Sequence, residues 1–62
     1  MTEKEIRQKI KAIKDTIRLM QLYKSSFRKE LGIVGYDEFL NEQLEELKYF
    51  LDLHKNFNNE KN

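Results

Sequence analysis

Apolar residues recur along the first half of the chain in alternating steps of four and three. This spacing places them on one face of an α-helix, as in the seam of a helical bundle. The chain contains no proline, so no residue forces a break in that helix. Thr2 and Glu5 have the spacing of a capping box, and the pattern predicts a first helix over about residues 3–31. The predicted seam consists of Ile6, Ile10, Ile13, Ile17, Met20, Lys24, Phe27 and Leu31.

The two glycines of the chain mark a predicted turn at residues 32–35. Gly32 follows the last seam residue, where a left-handed glycine ends a helix at low cost. Ile33 is then expected to fold back onto Phe27, as is common after such a glycine. Gly35 is expected to act as the N-cap of the next helix, because a glycine is tolerated there and two acidic residues follow it.

A second helix is predicted over about residues 36–57, followed by a frayed polar tail at 58–62. A turn centred between residues 33 and 34 would place residue i level with residue 67 − i, so Lys24 would face Gln43 in one polar layer. The alternative for Lys24 is that its ammonium group extends to water along its apolar stem. The predicted buried stripe consists of Tyr36, Phe39, Leu40, Leu44, Leu47, Phe50, Leu51, His54 and Phe57.

These elements predict an all-α fold, a single antiparallel two-helix hairpin covering residues 1–62. A chain of 62 residues buries too little surface to be very stable alone, and it has no cysteine and one histidine to supply a disulfide or a zinc site. Oligomerisation is the remaining means of stabilisation. Leu19, Leu22 and Tyr23 lie outside the seam of the first helix, so we expect them to form a homodimer interface in a four-helix bundle.

The charges are distributed unevenly between the two halves of the chain. Residues 1–31 carry nine Lys and Arg against four Asp and Glu, whereas residues 32–62 carry three against seven. Five cations recur at three-four spacing on the outer face of the first helix, where they could follow a row of phosphates. Nucleic-acid binding is therefore one candidate function, and a solvated face is the alternative. The five cations are Lys4, Arg7, Lys11, Lys14 and Arg18.

Tyr49 and Leu53 form an apolar pair on the otherwise acidic outer face of the second helix. An aromatic anchor surrounded by charge is typical of protein interfaces, so this face is the predicted site for a protein partner. The acidic residues assigned to that site are Glu42, Glu45, Glu46 and Asp52.

Residues that could perform catalysis are scarce. His54 is the only histidine, and Ser25 and Ser26 lie several helical turns from it in the predicted hairpin. The acidic residues of the second helix lack the Glu-x-x-His pattern of a metal site within a bundle. The sequence therefore predicts a non-enzymatic regulatory protein without a metal or cofactor, which acts by docking a helical face on another protein.

Two known families resemble parts of this layout. The stretch GIVGYDEFLNEQLEEL is similar to the turn and acidic helix of the small sporulation-control aspartyl-phosphate phosphatases. Their signature is Ser-Gln-Glu-Leu-Asp, and the nearest run here is Asn41–Glu45, which reads NEQLE. The order of a long capped helix, a short turn, a second helix and a polar tail resembles the plasmid regulator Rop, which implies a dimeric, RNA-binding bundle.

The sequence also bears on location and source. No apolar run approaches the length of about 20 residues that a membrane span needs, and the charged start lacks the apolar core of a signal peptide. We therefore expect a cytoplasmic protein that does not bind membranes. Residues with AT-rich codons are abundant, which favours a low-GC bacterium or its phage as the source.

Overall fold

The computed structural model describes the backbone of residues 1–60 and the side chains of residues 1–57, and over this part of the chain it contains helices and no strand. Helix α1 spans Glu3–Leu22, and helix α2 spans Lys24–Glu60. Gly32 is the one residue in α2 with non-helical dihedral angles, so it divides α2 into a short arm at 24–31 and a long arm at 33–60. The all-helical fold and the two helices are confirmed, and their arrangement is consistent with a hairpin.

The N-terminus of α1 is closed by the capping box that the sequence predicts. The Glu5 backbone N–H donates to Thr2 Oγ1 at 3.2 Å, and the Thr2 backbone N–H donates to Glu5 Oε1 at 3.4 Å. These two bonds satisfy amides that have no partner within the helix, so α1 begins at Glu3.

Helix α1 ends at Leu22, so the prediction that it continues to residue 31 is wrong. Tyr23 has φ −114° and ψ 40°, and its N–H donates to the Leu19 carbonyl at 2.8 Å. The helical hydrogen bonding restarts where the Phe27 N–H donates to the Tyr23 carbonyl at 3.0 Å.

A tertiary contact from the long arm accompanies this break. The Tyr36 hydroxyl donates a buried hydrogen bond to the Met20 carbonyl at 3.0 Å. In a continuous helix that carbonyl would accept from the amide of Lys24, four residues later. Tyr36 therefore supplies a tertiary partner at the point where the local pattern alone would have continued α1.

Gly32 has the positive φ that the sequence predicts, but the turn at 32–35 is much shorter than predicted. Its φ of 78° is paired with a ψ of 166°, an extended region that only glycine populates readily, and not with the left-handed helical ψ of a helix end. Gly35 lies within the long arm and is therefore not an N-cap. Ile33, which the sequence predicts to fold back onto Phe27, is 60% exposed.

The second helix also exceeds its predicted limits of 36–57 at both ends. It begins before Tyr36 because Gly32 is the only non-helical residue of the turn. At the other end the backbone of residues 58–60, assigned by the sequence to a frayed tail, continues the helix to Glu60. Residues 61 and 62 of that predicted tail lie outside the described residues.

The register of the hairpin differs from the predicted one by about ten residues. Met20 faces Tyr36, and Glu3 Oε1 lies 3.9 Å from His54 Nε2, so facing residue numbers sum to 56 or 57 and not to 67. The reason is that the short arm takes up residues that the prediction assigned to α1. Lys24 therefore does not face Gln43, and its Nζ lies 6.0 Å from the centre of the Tyr36 ring.

The core lies along one line between α1 and the long arm of a rod measuring 46 × 16 × 15 Å. Half-buried side chains of the predicted stripe, such as Ile10, Leu47 and Phe50, flank this line. Within the described residues, neither helix has a stretch that is long and apolar enough to cross a membrane. The fully buried hydrophobic residues are Ile6, Ile13, Met20 and Tyr36.

Candidate interaction surfaces

Two shallow hollows lie along the seam between α1 and the long arm. Both are lined by residues of both helices, and they have no residue in common, so they open on opposite sides of the hairpin. One hollow is lined by Lys9, Ala12, Ile13, Thr16, Gln43, Glu46 and Phe50. The other is lined by Arg7, Ile10, Lys11, Lys14, Asp15, Leu51 and His54.

The first hollow belongs to a surface that we call the apolar side. Leu19 follows Ala12 by seven residues, and Tyr23 follows Thr16 by seven, so both continue the α1 wall of this hollow. The Thr16 hydroxyl donates to the Ala12 carbonyl at 3.0 Å, which satisfies its one donor locally. The apolar side consists of Ala12, Thr16, Leu19, Tyr23, Glu46, Tyr49, Phe50 and Leu53.

Tyr49 and Leu53 continue the α2 wall of the same hollow, because they follow Glu46 by three and seven residues. Tyr49 is 60% exposed, and its ring meets the edge of Phe50 with centroids 5.2 Å apart. Leu53 is half-buried, so it is less exposed than the sequence suggested. The residues predicted for a dimer, Leu19 and Tyr23, thus share one side of the hairpin with the pair predicted for a partner.

Of the remaining residues of the two predicted protein surfaces, Leu22 lies away from the apolar side, whereas the four acidic residues lie within two helical turns of Tyr49 on the long arm. Leu22 is exposed at the end of α1, four residues after Arg18, which places it beside the cations and away from the apolar side. Glu42, Glu45 and Asp52 are exposed on the long arm, whereas Glu46 lines the first hollow.

The second hollow belongs to a surface that we call the basic side. All five cations predicted for nucleic-acid binding are exposed, and Arg7, Lys11 and Lys14 line the hollow itself. Arg7 Nη2 also lies 3.2 Å from Glu3 Oε1 one turn earlier. The basic side consists of Lys4, Arg7, Lys11, Lys14 and Arg18 of α1 with Leu44, Lys48, Leu51 and Lys55 of the long arm.

Leu44 and Leu51 are the residues of the basic side that the sequence analysis missed. Both were assigned to the buried stripe, yet they are 47% and 43% exposed. They lie seven residues apart on one face of the long arm, and Leu51 lines the hollow with Ile10. Their position at the edge of the stripe could have indicated this exposure. In a two-helix hairpin no third helix covers the residues at the margin of the seam.

The end of the rod at the short arm carries a further apolar groove. It is lined by Phe27, Leu31 and Phe39, with Ser26 and Glu30 at its border. Ile33 and Val34 are exposed at the same end, next to Gly32. From the sequence, these apolar residues were expected in the turn, in the seam of the first helix or in the stripe of the second. No groove was therefore predicted here.

Groups that could perform chemistry are not brought together in the described part of the chain. No group of three or more His, Cys, Asp or Glu residues there could hold a metal ion. His54 lies beside Glu3 near the chain termini, whereas Ser25 and Ser26 lie on the short arm at the other end of the rod. Ser25 and Ser26 therefore have no histidine beside them to act as a base.

Comparison with known proteins gives no assignment. No protein-family model, no curated protein and no solved structure matches this chain.

Proposed function

We propose that this chain is a non-enzymatic, cytoplasmic interaction module that docks a helical face on other proteins and forms a homodimeric four-helix bundle through its apolar side. The observation that supports this proposal is the distribution of large hydrophobic side chains in the described residues. Four are buried in the core, whereas ten are at least 43% exposed. Apolar surface left in water costs about 25 cal/mol per Å², so a second protein that covers these residues stabilises the hairpin.

A second copy fits the apolar side because this surface complements itself. In a two-fold dimer the same surface faces itself, so each copy offers a hollow at Ala12 and Thr16 and a projecting Leu19 and Tyr49. The edges of the hollow also carry opposite charges, Lys9 on α1 and Glu46 on the long arm. The basic helix of one copy can therefore lie beside the acidic helix of the other.

Sedimentation equilibrium at tens of micromolar is expected to give about twice the chain mass of 7.6 kDa. Leu19→Ser is expected to shift the protein towards monomer, because it removes an exposed apolar side chain from the proposed interface. Leu44→Ser is a matched control, because Leu44 is 47% exposed against 48% for Leu19 but lies on the basic side. A wild-type monomer that still unfolds cooperatively would refute the dimer, and equal effects of the two variants would exclude the apolar side.

A second candidate function is nucleic-acid binding by the basic side, which is favoured by its row of exposed cations. Four or five phosphate contacts on duplex would make log affinity fall with log salt at a slope near −4. We expect instead no micromolar binding of RNA or DNA at physiological salt, because Arg7 is partly compensated by Glu3 and no Phe, Tyr or Trp side chain lines this hollow for stacking. Micromolar binding that the double variant Lys11→Glu/Lys14→Glu abolishes would establish the second candidate in place of the first.

A further inference from the structure

The basic side has an apolar floor between two rows of cations. On α1, Arg7, Lys11 and Lys14 line its hollow, and Arg18 extends their row by one turn. On the long arm, Lys48 lies four residues after Leu44 and three before Leu51, and Lys55 lies four after Leu51, so these two cations border the leucines. Between the rows, Ile10 and Leu51 line the hollow, and Leu44 lies seven residues before Leu51 on the same face of the long arm.

Acidic residues balance the cations of the long arm more than those of α1. Glu45 lies three residues before Lys48, and Asp52 lies four after Lys48 and three before Lys55. On α1, Glu3 lies against Arg7. Asp15 is the one acidic residue that lines the hollow, and Asp37 shares the face of Leu44 two turns earlier, near the short arm. The basic side thus combines half-exposed leucines with a row of cations along its α1 edge. A partner that satisfies both features must be apolar along one face and negatively charged along the edge that lies against α1.

We infer that the basic side binds an acidic amphipathic helix of another protein. An amphipathic helix presents an apolar stripe bordered by polar residues, and binding such helices in apolar grooves is a common mode of peptide recognition. The row from Arg7 to Arg18 covers eleven residues of rise, about 16 Å, so it can contact about three turns of the bound helix. This inference rests on the proposed function, and it adds the surface and the chemistry of the partner.

Other occupants fit this surface less well. Nucleic-acid phosphates would pair with the cations but leave Leu44 and Leu51 in water. A second copy related by two-fold symmetry would place the basic side against itself, with cations facing cations. A lipid surface favours side chains that project into it, whereas Leu51 forms part of a hollow between two helices.

The test uses the full chain and a fluorescein-labelled synthetic peptide of about 18 residues, with leucines at heptad positions a and d and glutamates beside them. Anisotropy at physiological salt is expected to show micromolar binding of this peptide and none of the matched peptide with lysine in place of glutamate. Lys11→Glu/Lys14→Glu is expected to weaken binding at least tenfold. Leu44→Ser, alone or with Leu51→Ser, is expected to weaken it several-fold. Lys29→Glu, an exposed cation on the short arm, should change it less than twofold.

Circular dichroism of each variant checks that its helical content is that of the wild type. We expect no change for Lys11→Glu/Lys14→Glu, because both side chains are exposed. Absence of peptide binding at 100 µM peptide, or binding that the leucine replacements leave unchanged, would overturn the inference. It would also be overturned if single-stranded RNA or phosphatidylglycerol vesicles bound more tightly than the peptide and displaced it.

Dimerisation is measured separately on the same samples. If Leu19→Ser is monomeric and still binds the acidic peptide, peptide binding by the basic side does not depend on the dimer. A wild-type dimer that does not bind the peptide would refute this inference alone.

Discussion

Replacing Gly32 with alanine is expected to destabilise the protein by about 1–3 kcal/mol, whereas replacing Gly35 with alanine is expected to be neutral or to stabilise it by up to about 1 kcal/mol. Gly32 has φ 78° and ψ 166°, and a Cβ built there would meet no other atom within 4 Å. The cost of Gly32→Ala is therefore backbone strain and not a steric clash with the rest of the fold.

Gly35 provides the matched control because it has no such backbone conformation. It lies within the helical long arm, where alanine is favoured over glycine. A Cβ there would lie 3.4 Å from the Leu31 Cβ, which is an ordinary van der Waals contact. If Gly35 were the N-cap that the sequence predicts, Gly35→Ala would instead destabilise the protein.

Urea unfolding followed by circular dichroism measures both effects. The protein concentration must be held constant, because the stability of a dimer depends on it. A Gly32→Ala variant as stable as the wild type would show that residue 32 does not adopt a positive φ in solution. A loss of 1 kcal/mol or more of unfolding free energy in Gly35→Ala would show that Gly35 is the N-cap after all.

Removing the hydroxyl group of Tyr36 is expected to cost about 1–3 kcal/mol of unfolding free energy. The Tyr36→Phe change preserves the buried ring but leaves the Met20 carbonyl without its donor at 3.0 Å. A buried acceptor that loses its partner incurs most of its desolvation cost. Tyr49→Phe is the matched control, since Tyr49 is exposed, and its effect is expected within about 0.5 kcal/mol.

The same variant tests why α1 ends at Leu22. Without the Tyr36 hydroxyl, the Met20 carbonyl is free to accept from the Lys24 amide, so α1 can continue through Tyr23. Backbone chemical shifts at residues 22–26 are expected to move towards helical values in Tyr36→Phe and to stay unchanged in Tyr49→Phe. If Tyr36→Phe retained wild-type stability and shifts, the break at Tyr23 would have a local cause.

The candidate surfaces were predictable from the sequence as residues on single helices. The cations of α1 recur every three or four residues, and so do the acidic residues around Tyr49. This spacing alone places each set on one face of its helix. Their relation across the two helices was not predictable in this way. Leu51 lines one hollow with Arg7 and Lys11 only because of the observed register.

The sequence by itself determined the features that depend on near neighbours along the chain. The helical state follows from the apolar period, the start of α1 from the Thr2–Glu5 capping box, and the positive φ of Gly32 from the lack of a side chain. Each of these involves residues within about one helical turn, so it leaves a recognisable local pattern.

Only the tertiary structure decided where α1 ends, how the two helices are aligned and which residues share a side of the hairpin. The hydrogen bond that accompanies the end of α1 joins Tyr36 to Met20, sixteen residues apart. The heptad pattern continues through Lys24, Phe27 and Leu31 without any sign of this bond, because apolar spacing records which face is buried and not which residue buries it. The break at residue 23, in addition to the one at residue 32, moved the register by about ten residues, and the residues that line each hollow together follow from that register.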